Sequence, residues 1–259
     1  MIVVRDVYKR FGALPVLRGV ELVLAPARVT AIVGPNAAGK STLIKCMLGL
    51  TRPDRGTITL ADGRDVRLPA ARAVIGYMPQ SPCFPGNLSG HEVLAMLDAL
   101  RPDVVPDRTL VELFALAEQL DKPVRTLSGG TRQKLSAVIA FRYRPQLLVF
   151  DEPTAGLDPL AASVFKSAVF AARDAGATIL LTTHVVAELS ALADDIAFLV
   201  DGSIRFAGAV SSLLHDTASA TLDEALTRLM QSPVDAVPSA AVAGADAARS
   251  LRVVHASRS

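Results

Sequence analysis

The sequence has few cysteines and no long apolar run, and each shortage excludes a class of protein. Only two of its 259 residues are cysteines, Cys46 and Cys83, and their spacing matches neither a disulfide framework nor a zinc site. The longest apolar runs are strand-sized, far below the roughly 20 residues that a membrane-spanning helix needs. We therefore expect reduced thiols and no segment that crosses a membrane.

The chain also has little net charge and no recognisable secretion signal. It carries 27 Lys and Arg against 25 Asp and Glu, a formal net charge of +2, and the basic residues are scattered, so a nucleic-acid surface is not indicated. The opening MIVVRDVYKRFG lacks a charged head followed by an apolar core and a cleavage site. With 51% hydrophobic residues, the composition indicates a globular cytoplasmic protein.

What the sequence does contain is a phosphate-binding loop, IVGPNAAGKST, between a strand pattern and a helix pattern. In the motif G-x-x-x-x-G-K-[ST], glycines let backbone N–H groups surround phosphate oxygens, the lysine reaches the β and γ oxygens, and the hydroxyl can bind magnesium. The helix that follows directs its positive N-terminal end toward the same phosphates. The predicted nucleotide-binding residues of this loop are Gly34, Pro35, Asn36, Ala37, Ala38, Gly39, Lys40, Ser41 and Thr42.

The surrounding periodicity predicts an α/β fold. Short β-branched runs in the first third predict strands that form an antiparallel patch beside a parallel core. HEVLAMLDAL, TLVELFALAEQL and TRQKLSAVIAFRY have helical spacing and predict a helical insert. LLVFDEP and ATILLTTH predict buried strands on either side of a helix that ends at Gly176, which implies parallel pairing. In TLDEALTRLM, Thr221 and Glu224 have the spacing of a capping box.

These patterns lead to predicted domain boundaries. Residues 1–84 and 141–214 are assigned to the α/β core with its antiparallel patch, and residues 85–140 to the helical insert. Residues 215–232 are assigned to a C-terminal helix. The proline- and alanine-rich residues 233–259 are predicted to be a flexible tail.

Two carboxylates follow the predicted strand LLVF. Asp151 is placed to hold a magnesium ion opposite Ser41, and Glu152 can accept a proton from a water molecule that attacks the γ-phosphate. A solvent-facing acidic strand end is the simpler interpretation of such a pair. The phosphate-binding loop in the same chain favours the catalytic one.

LSGGTRQKL has two interpretations as well. Ser128, Gly129 and Gly130 could simply start a helix, or they could form a second anion site with the dipole of that helix. The string LSGGTRQ resembles the signature motif of the ATP-binding cassette family, the nucleotide-binding domains of ABC transporters. The resemblance covers about residues 2–214 and implies the P-loop NTPase (RecA-like) fold.

The resemblance assigns roles to four further residues. Phe11 matches an aromatic residue that stacks on adenine, Gln80 one that touches magnesium and the attacking water, Asp158 one in a loop that crosses between subunits, and His184 one that contacts the γ-phosphate. Each also has an ordinary interpretation: Phe11 as core, Gln80 as surface, Asp158 as a helix N-cap and His184 as a capping residue.

Ala37 departs from the family pattern, which usually has glycine at this position. If the backbone there needs a positive φ, alanine costs on the order of 1 kcal/mol. The N–H donor and Lys40 remain, so we still expect ATP binding.

The resemblance also implies partners and a mechanism. ATP, with Mg²⁺, would lie between the phosphate-binding loop of one cassette and the Ser128 region of a second cassette, in a homodimer. Closure of the dimer would drive a separate integral membrane permease through the groove beside Gln80, from the inner face of the cytoplasmic membrane. No nucleic acid is expected as partner.

The length and the single cassette resemble ATPases of ABC-2-type exporters. GYMPQSPCFPGNLSGHEV and TLDEALTRLM are similar to the ATPase of the system that matures the copper sites of nitrous-oxide reductase. Copper itself is not expected to bind at Met78, Cys83 and His91, for which loop and core roles are favoured.

Three alternatives stay open at this stage. A soluble ABC ATPase that acts on a macromolecular complex is disfavoured, because such proteins carry two cassettes or long coiled-coil insertions. A P-loop GTPase or kinase lacks LSGG. A cassette that does not hydrolyse ATP is disfavoured by Glu152 and His184.

Overall fold

A computed structural model describes residues 1–183 and 185–231 of the chain. His184 and the predicted tail, residues 233–259, lie outside the described residues. The strands are β1 Ile2–Phe11, β2 Leu14–Leu24, β3 Val29–Val33, β4 Arg55–Leu60, β5 Ile75–Met78, β6 Leu147–Asp151, β7 Thr178–Thr182, β8 Asp195–Val200 and β9 Ser203–Ala209. The helices are α1 Lys40–Met47, α2 Pro69–Arg72, α3 Gly90–Ala99, α4 Thr109–Leu113, α5 Ala117–Leu120, α6 Gly129–Phe141, α7 Pro159–Asp174, α8 Val186–Leu192, α9 Val210–Asp216 and α10 Leu222–Gln231.

The chain forms two compact units. The first comprises Met1–Arg72 together with the chain from Thr183 onward, and the second comprises Ala73–Thr182. In the first unit, β1 pairs antiparallel with both β2 and β4, which confirms the predicted antiparallel patch. In the same unit β3 pairs parallel with β8, and β8 pairs antiparallel with β9.

The second unit contains the strand-helix-strand pattern predicted around LLVFDEP. Strands β5 and β6 are parallel, and so are β6 and β7, with α7 as the crossover between the last two. Between β5 and β6 the chain is helical, from α3 to α6, with one short 3₁₀ turn at Val124–Thr126. The predicted helical insert is therefore present, while its boundaries at residues 85–140 stay a prediction.

One predicted helix is divided in two. TLVELFALAEQL has helical spacing throughout, yet it folds as the short helices α4 and α5. The break occurs at Ala115, whose φ of 50° is left-handed and ends the first helix. Phe114 and Leu116, on either side of it, are both buried. Residues two apart do not share a face of a continuous helix, so the turn allows both side chains to be buried, and helical periodicity alone does not reveal it.

The core of the second unit positions the acidic end of β6. The first four residues of this strand are buried, and Asp151 is the first that solvent reaches. Phe150 lies 5.3 Å from Phe141 and 5.0 Å from Phe165, measured between ring centroids. These offset and edge contacts hold β6 against α6 and α7. Asp151 is thus the last residue of this packed strand, and Glu152 follows it.

The C-terminal helix carries only part of its predicted cap. The Thr221 hydroxyl accepts a hydrogen bond from the Glu224 N–H at 3.3 Å, as in a capping box. The Glu224 carboxylate instead accepts from the N–H of Ala220 at 3.0 Å, one residue earlier than the motif predicts. The described residues show no helix long and apolar enough to cross a membrane.

Candidate functional site

The phosphate-binding loop follows the fully buried strand β3 and leads into α1. A Cβ on Gly34 would lie 1.9 Å from the carbonyl oxygen of Leu199, so glycine is required there by close approach of the backbone. Gly39 has a φ of 105° and forms the N-cap of α1, and a Cβ on it would lie 2.9 Å from the carbonyl oxygen of Val16. Both glycines of the motif are therefore structural requirements.

Lys40 is held inside its own loop. Its Nζ donates to the carbonyl oxygens of Gly34 at 2.7 Å and Pro35 at 2.9 Å. The motif's first glycine and its lysine are thus brought together across the loop. Carbonyl oxygens carry only partial negative charge, so phosphate oxygens are a stronger partner for the ammonium group. The side chain is placed to exchange one for the other.

The backbone at Ala37 is left-handed, with a φ of 63°. This is the conformation in which alanine is costly and glycine is not. A left-handed conformation costs a non-glycine residue on the order of 1 kcal/mol. Ala37 is exposed, whereas Ala38 is buried and its carbonyl accepts from the N–H of Gly202 at 3.1 Å. The loop is anchored next to its strained residue.

Phe11 lies at the end of β1, opposite Leu14 across the hairpin. Its side chain is 54% exposed, which excludes the core interpretation. The Nζ of Lys9 lies 5.3 Å from the ring centroid, within cation–π distance. An exposed aromatic face of this kind can stack on a planar ligand, and adenine stacking stays a prediction for it.

The two carboxylates are joined to other polar groups within the second unit. The Thr182 hydroxyl donates to Oδ1 of Asp151 at 2.6 Å. Glu152 has a left-handed φ of 50°, and its N–H donates to the carbonyl oxygen of Thr182 at 3.1 Å. The Nε2 of Gln80 donates to Oε2 of Glu152 at 2.9 Å. The structure thus brings together three residues that the sequence predicted, and adds Thr182.

Ser128 is the N-cap of α6. Its hydroxyl accepts a hydrogen bond from the Thr131 N–H at 3.1 Å, so the helix-start interpretation of the motif is correct. Gly129 has open space where a Cβ would be, but a Cβ on Gly130 would lie 2.9 Å from the carbonyl oxygen of Gly156. The first glycine faces no neighbour in the described part of the chain, and the second packs against the loop before α7.

Asp158 is the N-cap of α7, accepting from the N–H of Ala161 at 2.8 Å. The other carboxylate oxygen pairs with Nζ of Lys134 on α6 at 2.9 Å. Hydrogen bonds from Lys134 and from the Ala161 N–H hold the pKa of Asp158 below its usual range. Its side chain therefore connects the start of α7 to α6. The predicted contact between subunits stays a prediction.

Three residues of this region were not singled out by the sequence. They are Thr182, Lys134 and Gln133, whose Nε2 donates to the carbonyl oxygen of Pro153 at 3.4 Å. A hydroxyl at the end of the buried run TILLTT was the available signal for Thr182. Its meaning depends on the parallel register that places Thr182 opposite Asp151. Pairing of strands separated in sequence does not follow from local pattern.

His184 is outside the described residues, and its predicted contact stays a prediction. Of the other predicted residues, Phe11 and the phosphate-binding loop belong to the first unit. The second unit holds Gln80, Ser128 to Gly130, Asp151, Glu152 and Asp158. Among the described residues no group of three or more His, Cys, Asp or Glu side chains is arranged to hold a metal ion.

Known proteins resemble this chain over most of its length. A sequence model of the family described as ABC transporter matches residues 17–155. Nod factor export ATP-binding protein I of Azorhizobium caulinodans is 34% identical over 215 residues, which cover 80% of this chain and 67% of that protein. Lipopolysaccharide export system ATP-binding protein LptB of Acidithiobacillus ferridurans is 32% identical over 221 residues, 82% of this chain and 91% of that protein.

A solved structure described as the ATP binding subunit of an ABC transporter superposes with a TM-score of 0.82 at 30% identity, covering 89% of this chain and all of that one. This agreement and the strand pairing confirm the predicted α/β fold, a P-loop NTPase core with an antiparallel patch and a helical insert. The chain therefore belongs to the ABC transporter family, as an ATP-binding domain with ATPase activity.

Proposed function

We propose that this chain hydrolyses MgATP as one half of a cassette dimer that drives a separate membrane subunit of an exporter. One observation carries the catalytic part of the proposal. Glu152 is the first residue after the buried strand β6, and its carboxylate is already bonded to Gln80 at 2.9 Å. A base and a residue that can orient water are thus paired beside Asp151.

Lys40 and Phe11 bind ATP in this proposal. The Lys40 ammonium group leaves the carbonyl oxygens of Gly34 and Pro35 for the β- and γ-phosphate oxygens, because full negative charge attracts it more strongly. Backbone N–H groups from Asn36 to Thr42 surround the phosphates at the N-terminus of α1. The exposed ring of Phe11 stacks on the adenine.

Ser41, Gln80 and Asp151 offer hydroxyl, amide and carboxylate oxygens, which are the hard ligands that suit Mg²⁺. Magnesium, when bound, supplies positive charge that neutralises the phosphate oxygens as the terminal bond breaks. Glu152 orients the attacking water and accepts its proton, and His184 contacts the γ-phosphate.

The second half of each ATP site comes from another cassette. Ser128, Gly129 and Gly130 of one copy meet the γ-phosphate bound by the other copy, and Asp158 lies in the loop that crosses between them. The open space around Gly129 supports this role, because a ligand can approach the backbone there. Hydrolysis removes the charge that holds the two copies together, and the dimer reopens.

The phosphate-binding role is tested with Lys40→Ala. We expect Mg²⁺-dependent ATP hydrolysis by the purified protein to fall by at least about 100-fold, since the charge that meets the γ-phosphate is lost. Lys45→Ala is the matched control, because Lys45 is an exposed lysine on the same helix. Equal ATPase rates for the parent and Lys40→Ala would contradict the proposal.

The dimer is tested with Glu152→Gln, which keeps the shape of the side chain and removes the base. This variant is expected to bind ATP and to elute as a closed dimer in size-exclusion chromatography with MgATP. The parent protein and Lys40→Ala are expected to elute as monomers after the same incubation. A Glu152→Gln protein that binds ATP and remains monomeric would refute the dimer.

The membrane partner and location are also proposals. Relatives are named for export of Nod factor and lipopolysaccharide, which favours an exporter. The permease is expected to bind beside Gln80, and the complex to lie on the inner face of the cytoplasmic membrane. Domain boundaries are proposed at residues 1–84 and 141–214 for the core, 85–140 for the helical insert and 215–232 for the C-terminal helix. Co-purification with a membrane subunit from the native host tests the partner.

The cargo proposal is narrower. The names of the relatives cover chemically unrelated cargoes, so the cassette by itself does not identify one. The similarity of GYMPQSPCFPGNLSGHEV and TLDEALTRLM to the ATPase of nitrous-oxide reductase maturation favours a role in copper-site assembly. Deletion of this chain is then expected to yield copper-deficient reductase in the native host. Fully metallated reductase would exclude the role.

A further inference from the structure

Thr182 occupies a specific place in the carboxylate network. It is the last residue of β7, it is 2% exposed, and the parallel register places it opposite Asp151. Its hydroxyl donates to Oδ1 of Asp151 at 2.6 Å and accepts from the N–H of Glu152 at 3.2 Å. Its own carbonyl oxygen accepts from that N–H at 3.1 Å. One buried residue therefore contacts both acidic residues.

The direction of these bonds follows from chemistry. An ionised carboxylate only accepts hydrogen bonds, so the single hydroxyl proton of Thr182 points to Asp151. The oxygen lone pairs then remain for the N–H of Glu152. A hydroxyl in this position fixes the orientation of the Asp151 carboxylate and, at the same time, the peptide that leads into Glu152.

Glu152 needs such support because its backbone is left-handed, with a φ of 50°. A non-glycine residue keeps this conformation only where its surroundings impose it. Two acceptors of Thr182 share its N–H, and Gln80 holds its carboxylate at 2.9 Å. Backbone and side chain of the proposed base are thus restrained from opposite ends.

We infer that Thr182 is a positioning residue for ATP hydrolysis, whose hydroxyl holds Asp151 and Glu152 in their working geometry. The inference rests on the proposed roles of these two carboxylates. Thr182 touches neither substrate nor attacking water in this scheme. It acts through Asp151, by holding its Oδ1 atom, and through the peptide N–H of Glu152.

The neighbouring threonines show that the arrangement is specific to this position. Thr178, at the other end of β7, is buried to the same degree but lies in register with Leu147. Thr183 donates to the carboxylate of Glu188 at 2.8 Å and accepts from the N–H of Val185, where α8 begins. Of these three buried threonines, Thr182 is the one that lies opposite Asp151 and donates to its carboxylate.

The test compares Thr182→Val, Thr182→Ser and the control Thr178→Val. Valine keeps the shape and removes the hydroxyl, and a hydrogen bond to a charged group is worth a factor of about 10 to 100. For Thr182→Val we expect kcat to fall by about 10- to 100-fold and the Mg²⁺ concentration for half-maximal rate to rise several-fold, by the same reasoning. Thr182→Ser is expected to recover most of both, and Thr178→Val to change neither.

A second measurement needs neither nucleotide nor metal. In the nucleotide-free protein, amide hydrogen exchange at Glu152 is expected to accelerate about 10-fold in Thr182→Val relative to the parent, since one acceptor of its N–H is lost. Thr182→Ser is expected to retain the protection. The buried amides of β6 report global unfolding in the same sample. Faster exchange at Glu152 without faster exchange in β6 is therefore a local effect, even if the variant is less stable.

The outcomes separate this inference from the proposed function. If Asp151→Asn and Glu152→Gln keep the parent rate, the roles of both carboxylates fail and the inference fails with them. If those variants lose activity while Thr182→Val keeps the parent kcat, Mg²⁺ midpoint and Glu152 exchange rate, only the role of Thr182 is overturned. Loss of activity in Thr182→Ser to the level of Thr182→Val also overturns it.

Discussion

The two helices that begin the proposed phosphate cradles start in different ways. Helix α1 is preceded by Gly39, which has no side chain to cap the first turn, and helix α6 is capped by the hydroxyl of Ser128. At its other end α6 is held as well, because the C-cap residue Arg142 forms a bidentate pair with Asp98 at 2.7 and 2.6 Å.

The difference concerns the hydrogen-bond partners of the N–H groups in the first turn of each helix. The first-turn N–H groups of a helix have no partner within it, and a side-chain cap satisfies one of them. Helix α6 has such a cap from its own chain, whereas α1 has no side-chain cap. The phosphate-binding loop therefore places no side-chain cap on the helix that it begins. At the start of α6 the Ser128 hydroxyl already caps the helix, and a ligand would have to compete for it.

The largest expected effect is on the stability of helix α6, at its C-terminal end. Hydrogen bonds from the buried Arg142 side chain and from the Tyr143 hydroxyl hold the pKa of Asp98 below its usual range. Asp98→Asn leaves the buried Arg142 guanidinium without its counter-charge and is expected to lower the free energy of unfolding by about 4 kcal/mol. Asp103→Asn, the same change at an exposed site, is expected to stay within about 0.5 kcal/mol. Urea titration measures both.

The same pair predicts a pH dependence. Because the pKa of Asp98 is lower in the folded chain, the unfolded chain binds more protons as the pH falls below about 4. The stabilisation is therefore complete above the ordinary carboxyl range and is lost as the pH falls through the folded pKa. The stability difference between the parent and Asp98→Asn is expected to shrink over that window. A difference that stays constant there would count against the pair.

The next largest effect distinguishes Gly39, the N-cap of α1, from Gly129, the first residue of α6. Gly39→Ala is expected to cost about 3 kcal/mol, since it adds a left-handed alanine and a clash with the Val16 carbonyl. Gly129→Ala is expected to be neutral or slightly stabilising, because its Cβ meets nothing within 4 Å and alanine favours helix. Denaturant unfolding without nucleotide compares them. Equal costs would mean that the two helix starts do not differ as described.

Removal of the cap has a smaller effect. Ser128→Ala is expected to lower the free energy of unfolding by about 1 kcal/mol through loss of the bond to the Thr131 N–H. Ser41→Ala, in the exposed first turn of α1, is expected to change it by no more than about 0.5 kcal/mol in the absence of nucleotide. Thermal unfolding of the nucleotide-free proteins measures both, and the opposite ranking would reverse the comparison.

The smallest expected effect concerns the backbone strain at Ala37 in the phosphate-binding loop. Ala37→Gly is expected to stabilise the nucleotide-free protein by about 0.5 kcal/mol, because relief of the left-handed conformation exceeds the entropy cost of glycine. Ala38→Gly is the control: Ala38 is buried without a left-handed φ, so the same change is expected to destabilise. Calorimetry resolves the two signs. Destabilisation in both variants would show that Ala37 is not strained.

Local sequence was sufficient where one segment carries the whole pattern. The loop from Gly34 to Thr42, the antiparallel patch and the helix α7 were predicted from neighbouring residues. A positive φ at Ala37 was stated only as the condition under which alanine is costly, and the structure meets that condition. The division of TLVELFALAEQL into two helices was missed, because burial of Phe114 and Leu116 overrides a helical pattern.

The sequence by itself therefore determined the chemical identities in this protein: a phosphate loop, paired carboxylates and a serine-glycine helix start, each readable within about ten residues. The tertiary structure decided which side chains support them. The contacts of Thr182 with Asp151 and of Lys134 with Asp158 join segments that are 31 and 24 residues apart, and only strand register and helix packing bring them within bonding distance. Hydrogen bonds act over about 3 Å, so their partners are set by the fold and not by position along the chain.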